Sequence, residues 1–183
     1  MSSLVIDNVV DKLLPILDSS LAVSRTYKRH LTWGSYEVSS DRERYVLRVY
    51  LAPDKHYGHN ELESLFRVRD VQRTPRLIDF YEDKNRLLIL KTVAPGLDLQ
   101  EYLDMGGRIK PSFYASAFEV VREIHARGVF DLDIHKQNNL VVGNDGIWLF
   151  DFDNVKFHEI GSSTEKAEWD KYRDVRHLKR HFL

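Results

Sequence analysis

The order of residues predicts an α+β fold, with a small antiparallel sheet and one main helix in a first lobe and a truncated, mainly helical second lobe. Three observations lead there. From Val23 to Leu90 short apolar or alternating runs follow one another with one helical interruption, broken by Gly, Pro and charged turns, as strands are. From Leu97 to Phe182 apolar residues recur mainly at helical spacing. Between the two stretches stands Pro95-Gly96, a turn pair that continues neither pattern, so the chain divides into residues 1–93 and 94–183.

The bulk properties narrow the function classes. A chain of 183 residues is long enough to bury a real core. With 43% hydrophobic and 30% charged residues and a net charge of -1, it lacks the basic excess expected when nucleic acid is the main partner. The absence of cysteine excludes disulfides and thiolate metal sites and fits a reducing compartment. No apolar run is long enough to cross a membrane, and the N-terminus lacks the cationic lead and apolar run of a signal peptide. A cytoplasmic protein is expected, with peripheral contact at the inner face of a membrane compatible and secretion as an effector left open.

In chain order, Ile6, Val9, Val10, Leu13, Leu14 and Leu17 mark a packing helix with Asp7, Asn8, Asp11 and Lys12 opposite, which Pro15 would kink or end. Strands are expected over Ser24–Leu31, Gly34–Val38 and Tyr45–Leu51. The first of them carries Arg25, Lys28, Arg29 and His30, a basic run that suits either a solvated edge or phosphate. A helix follows, with Asn60 as N-cap and Leu62, Leu65, Phe66 and Val68 as its apolar face. Thr74–Tyr81 and Arg86–Leu90 complete five strands. Beyond the linker come a short helix over Leu97–Met105 and a longer one opened by Pro111, with Tyr114, Ala117, Phe118, Val121 and Ile124 on one face and Gly128 as its stop. A last helix spans Glu165 to Phe182, with Trp169, Tyr172, Leu178 and Phe182 available for packing.

Gly128 to Asn154 holds the chemistry. It reads as a polar loop, a strand over Leu140–Val142, a turn at Asn144-Asp145-Gly146 and a second strand over Ile147–Phe150. Such a hairpin brings Asp133 and Asn138, before its first strand, beside Asp151 and Asp153, after its second. Carboxylates gathered behind an apolar run call for a cation, so a divalent metal site is expected.

At these residues the chain resembles the protein-kinase-like superfamily, whose catalytic loop reads Asp-x4-Asn and is followed by a hairpin and Asp-Phe-Gly. Here Asp133 and Asn138 stand as that Asp and Asn, and Asp151-Phe152-Asp153 stands where Asp-Phe-Gly would. The resemblance implies a two-lobed kinase-like fold with ATP and Mg²⁺ as cofactors. Asp133 would accept the substrate hydroxyl proton as an unpaired carboxylate, and Asn138 and Asp151 would hold Mg²⁺ on the phosphates. Tyr45-Val46-Leu47-Arg48-Val49-Tyr50 resembles the Val-Ala-Ile-Lys strand, with Arg48 in place of the ATP-gripping lysine and Lys28 as the substitute from a neighbouring strand. Glu61 matches the helix glutamate that pairs with that cation, Glu63 being its fallback. Lys91-Thr92-Val93 resembles the hinge, so the main chain of Lys91 and Val93 would meet adenine. His135, inside the loop, stands where it could touch the phosphate or the substrate.

Two departures bear on the acceptor. Only about one loop and one helix follow Asp153, and the family's His-Arg before the catalytic Asp is Asp131-Leu132, which removes the dock for a phosphorylated activation loop. Asp-Phe-Asp, the short tail and the closing helix resemble the bacterial lipopolysaccharide kinases that phosphorylate Kdo in the inner core. The acceptor expected is therefore a hydroxyl of a lipopolysaccharide sugar, with a protein Ser or Thr as the alternative. A pseudokinase that binds without turnover stays open beside both.

Overall fold

The strand-like runs of the first half do form strands. In the computed structural model, which describes residues 3–183, β1 (Ala22–Arg29), β2 (Trp33–Ser39), β3 (Arg44–Leu51), β4 (Leu77–Glu82) and β5 (Arg86–Thr92) make one antiparallel sheet. Its order is β1-β2-β3-β5-β4. Composition explains the order. β5 carries the unbroken apolar run Leu87–Leu90 and β3 an apolar run interrupted only by Arg48, and both are buried along most of their length, whereas β1, with its basic side chains, is exposed throughout and forms an edge.

One face of this sheet is covered by α1 (Ser3–Leu17), whose Ile6, Val10, Leu13 and Leu14 are buried in a core with Tyr36, Val38, Leu47, Val49, Leu88 and Leu90. Pro15 does not end the helix. It falls in the last turn, where a single lost backbone bond costs little, and the Asp18 N–H still closes onto Leu14 C=O at 3.0 Å. α2 (Lys55–Arg67) begins five residues ahead of the expected N-cap, so Asn60 lies within the helix. The apolar pattern that located it starts only at Leu62. The extra turn has no such pattern and holds Gly58, where an added Cβ would lie 2.6 Å from Tyr50 and 2.7 Å from Leu87.

The described chain forms two compact units, one running to Leu62 and taking in Arg76–Val93, the other made of Glu63–Pro75 and Ala94–Leu183. Glu63–Pro75 groups with the second unit through Arg73, whose carbonyl accepts from Leu149 N at 3.1 Å and whose Nη1 donates to Ser116 Oγ at 2.6 Å.

In that unit α3 (Leu99–Asp104) is capped by Asp98, and α4 (Pro111–Ala126) opens on proline and stops before Gly128, where φ is +76°. The buried face of α4 is Phe113, Ala117, Val120, Val121, Ile124 and His125. It is turned by about one residue from the expected stripe, and Tyr114 and Phe118 stack on each other instead, at 5.9 Å. β6 (Leu97–Asp98), β8 (Leu140–Gly143) and β9 (Gly146–Leu149) form a three-stranded sheet, while β7 (Val129–Phe130) pairs with β10 (Lys156–Phe157). α5 (Glu165–Phe182) packs on α4, with Ala167, Leu178 and Phe182 buried. Trp169 and Tyr172, expected to pack, are 58% and 56% exposed, because the buried stripe runs through Ala167, Asp170, Asp174 and Leu178.

Candidate active site

The loop leaving β7 is held in an unusual backbone. Asp131 and Asp133 have φ of 57° and 52°, the left-handed region that costs a residue other than glycine ~1 kcal/mol or more. Such a conformation persists only where its surroundings impose it. Asp174 on α5, 1% exposed, does so: its Oδ2 accepts from Asp131 N at 3.0 Å and its Oδ1 from Leu132 N at 3.0 Å. His125 Nε2 lies 2.8 Å from the same Oδ2 and its ring stacks on Phe130, so this histidine in the last turn of α4 is a buried partner of the carboxylate. Further along, His181 Nε2 meets Ile134 C=O at 2.7 Å and Asn139 Nδ2 donates to Asp133 C=O at 3.2 Å.

A second buried acid, Asp170, completes the support. It accepts from Arg173 at 2.8 Å and His158 at 3.0 Å, with Lys156 at 3.4 Å. Burial pushes its carboxyl up, but these partners outweigh it and the net position is below the usual value. Lys156, at 3.0 Å, and Arg173 also pair with Asp131. The loop thus carries the acid and its surroundings the cations, the reverse of an Arg in the loop.

Asp133 is not the unpaired carboxylate expected. Its Oδ1 lies 2.7 Å from His135 Nδ1, and its Oδ2 is in an ion pair with Lys136. The Lys136 ammonium is held above its ordinary range by the Asp133 hydrogen bond first, with burial opposing and the charges of Asp153 and Asp151 adding. The sequence reading expected a divalent metal among these carboxylates; here Asp133 pairs with an ammonium that also feels the charges of Asp151 and Asp153, and Phe150 N donates to Asn139 C=O at 3.2 Å across the base of the hairpin. Asn138 is exposed, and the amide turned inward is its neighbour Asn139. Asp151 is half-buried. Among the described residues no three His, Asp or Glu side chains gather as a metal cage.

The sheet unit holds a separate charge cluster. Lys91 does not lie in the linker: it belongs to β5, opposite Val46 and Leu77, with its side chain fully buried and ion-paired to Glu61 Oε1. The alternation that buries Leu87 and Ile89 carries Lys91 inward too. Glu61 Oε2 accepts from Tyr50 Oη at 2.7 Å and lies 3.5 Å from Arg48 Nε, while Arg48 Nη2 donates to Tyr50 Oη at 2.7 Å. Glu63, the fallback, pairs with Arg67 on an exposed face. Lys28 lies on the exposed edge strand over the Trp33 ring at 5.1 Å, and Arg48 approaches the same ring at 5.5 Å. Val93 follows β5 and is half-buried.

Comparison with known proteins names no relative. No family model and no curated protein matches the chain. The residues that the sequence reading missed are Asp170, Asp174, Tyr50 and the side chain of Lys91. Two aspartates on the stripe of Ala167 and Leu178 were a readable signal, since an acid on an apolar helix face implies a buried partner.

Proposed function

We propose that the chain is an ATP-dependent kinase that transfers the γ-phosphoryl group to a hydroxyl, the acceptor being a sugar of lipopolysaccharide reached at the inner face of the membrane. The observation that carries the reading is the Asp131–Ile134 loop, forced into left-handed backbone at two positions and tied down by a buried carboxylate and an imidazole from α5. Strain of this kind, compensated this thoroughly, is a feature of reactive loops rather than of connectors. Among the described residues no helix is long and apolar enough to cross a membrane, so contact with lipid would be peripheral.

The donor set suits Mg²⁺ carried in with a nucleotide. Mg²⁺ keeps most of its shell from water and phosphate and takes only one or two protein oxygens. Asp151 and the exposed amide of Asn138 are hard donors of that kind. When bound, Mg²⁺ would neutralise the charge of the phosphates. For those phosphates the cation proposed is Arg48, whose planar fork suits them, while Lys91 neutralises Glu61. Asp133 is the carboxylate on which transfer depends.

Thermal unfolding with and without ligand tests this. Mg·ATP at 100 times its Kd should stabilise the protein by about 2.7 kcal/mol, whereas Mg²⁺ alone should add nothing. Asp151→Ala should remove the Mg²⁺-dependent part, and Arg48→Ala should raise the Kd. An unaltered response in Asp151→Ala would sink the metal assignment. Transfer from γ-labelled ATP to a lipopolysaccharide fraction and to a protein lysate then decides the acceptor. One observation favours a binding module without turnover: both oxygens of Asp133 are engaged by His135 and Lys136. Nucleotide binding with no Asp133-dependent label would select that reading.

A further inference from the structure

We infer that His135 takes the proton of the attacking hydroxyl, with Asp133 behind it as the positioning carboxylate; this rests on the kinase reading above. Asp133 Oδ1 and His135 Nδ1 are 2.7 Å apart. With its proton on Nδ1, facing the carboxylate, the ring would offer the lone pair of Nε2 to a hydroxyl. Exposure orders the pair in the same direction. The Asp133 side chain is 8% exposed and that of His135 56%, so a hydroxyl arriving from solvent meets the imidazole before the carboxylate. The other oxygen of Asp133 is committed to Lys136.

The surroundings hold the dyad and tolerate its charge. Asn139 fixes the Asp133 carbonyl and His181 the Ile134 carbonyl, so the backbone on either side of the pair is tethered. From α5 the ring of His177 lies 5.6 Å from that of His135. Burial first, then the charges of His135, Arg180 and His181, hold His177 below the ordinary imidazole value against Asp174. A neutral His177 lets the His135 ring charge without a second imidazolium facing it; Asp133 pairs with both His135 and Lys136, and Arg180 and His181 stand on α5 around His177. In the step, the hydroxyl O–H bond breaks and an N–H bond forms at Nε2. The oxygen bonds to the γ-phosphorus, and the bond to the bridging oxygen breaks with its electron pair leaving on ADP. The imidazolium, stabilised by Asp133, later returns the proton to water.

The test compares wild type, Asp133→Asn, His135→Gln and His135→Gly for label transfer from γ-labelled Mg·ATP to whichever of the two fractions the wild type labels. Mg·ATP thermal shifts on the same samples show that each variant folds and binds. His135→Gln should lower turnover ~10²-fold or more with its thermal shift intact, the scale of a lost general base. Imidazole in the buffer should restore part of the rate of His135→Gly in proportion to its concentration and none of that of Asp133→Asn. Wild-type turnover in His135→Gln, or equal rescue of Asp133→Asn, would overturn the relay and leave the kinase standing. A wild type that labels neither fraction would overturn the kinase reading and the relay with it.

Discussion

At the scale of single residues, the buried acids of α5 hold the Asp131–Asp133 backbone. Asp174 satisfies two loop N–H groups and an imidazole at once. Removing it leaves all three without an acceptor, at ~1–3 kcal/mol each when buried. Asp174→Ala should therefore cost about 3 kcal/mol or more, measured as a fall in urea midpoint without a change in slope. Asp174→Asn should cost less, since its single oxygen still accepts from one donor. Equal stability of the two variants and the wild type would mean that the clamp is not what imposes the loop. The Lys91–Glu61–Arg48 cluster shows the other use of a buried charge. There two cations share one acid, and Tyr50 fills the gap between Arg48 and Glu61 with a hydroxyl that both accepts and donates.

Elements follow from pattern where one face is apolar, and this decides how much could be read in advance. The five strands, α1, α4, the hairpin and α5 over Glu165–Phe182 carry strand-like runs or helical stripes, and all are present. What escaped reading lacks a stripe of its own. The first turn of α2 is Lys55-His56-Tyr57-Gly58, polar and glycine-bearing, and only its closeness to β3 and β5 explains it. Lys91 reads as the start of the hinge by resemblance, and β5 runs through it and places its side chain inside. The candidate site divides in the same way: the spacing from Asp133 to Asp151 marks the loop and hairpin, whereas its support comes from Asp170 and Asp174, distant in sequence. Gly58 gives this scale its test. Gly→Ala in a helix interior gains ~1 kcal/mol from propensity, but overpacking a filled site costs ~1–3 kcal/mol. Here the atoms in the way belong to Leu87 and to Tyr50, whose ring is held by hydrogen bonds to Arg48 and Glu61. The steric cost wins, so Gly58→Ala should destabilise by about 1–2 kcal/mol in urea denaturation. A stabilised variant would show that the helix has room to shift.

For the whole molecule, the shifted groups set the shape of stability against pH, and they do not act at one end only. Asp18, Glu37, Glu82, Asp83, Asp170 and His177 all lie below their ordinary values. A group depressed on folding binds its proton first in the unfolded chain, so each contribution is present above the unfolded value and lost as pH falls toward the folded one. For His177 the loss begins at 6.5. For Asp83, which Arg86 holds at about 2, it begins at 3.8 and is complete only near that figure. Tyr27 runs the other way: burial first, and then its hydrogen bond to Glu37, push it up to about 12, so its share is held below 10 and lost above. Melting temperature should accordingly be flat between about pH 6.5 and 10, fall in a first step below 6.5, and fall again below about 4. His177→Gln isolates the first step. The difference between wild type and variant should shrink as pH drops through 6.5 and then stay constant while the carboxylates titrate. A difference that ignores pH in that window would show that the other histidines, and not the ring beside His135, make the step.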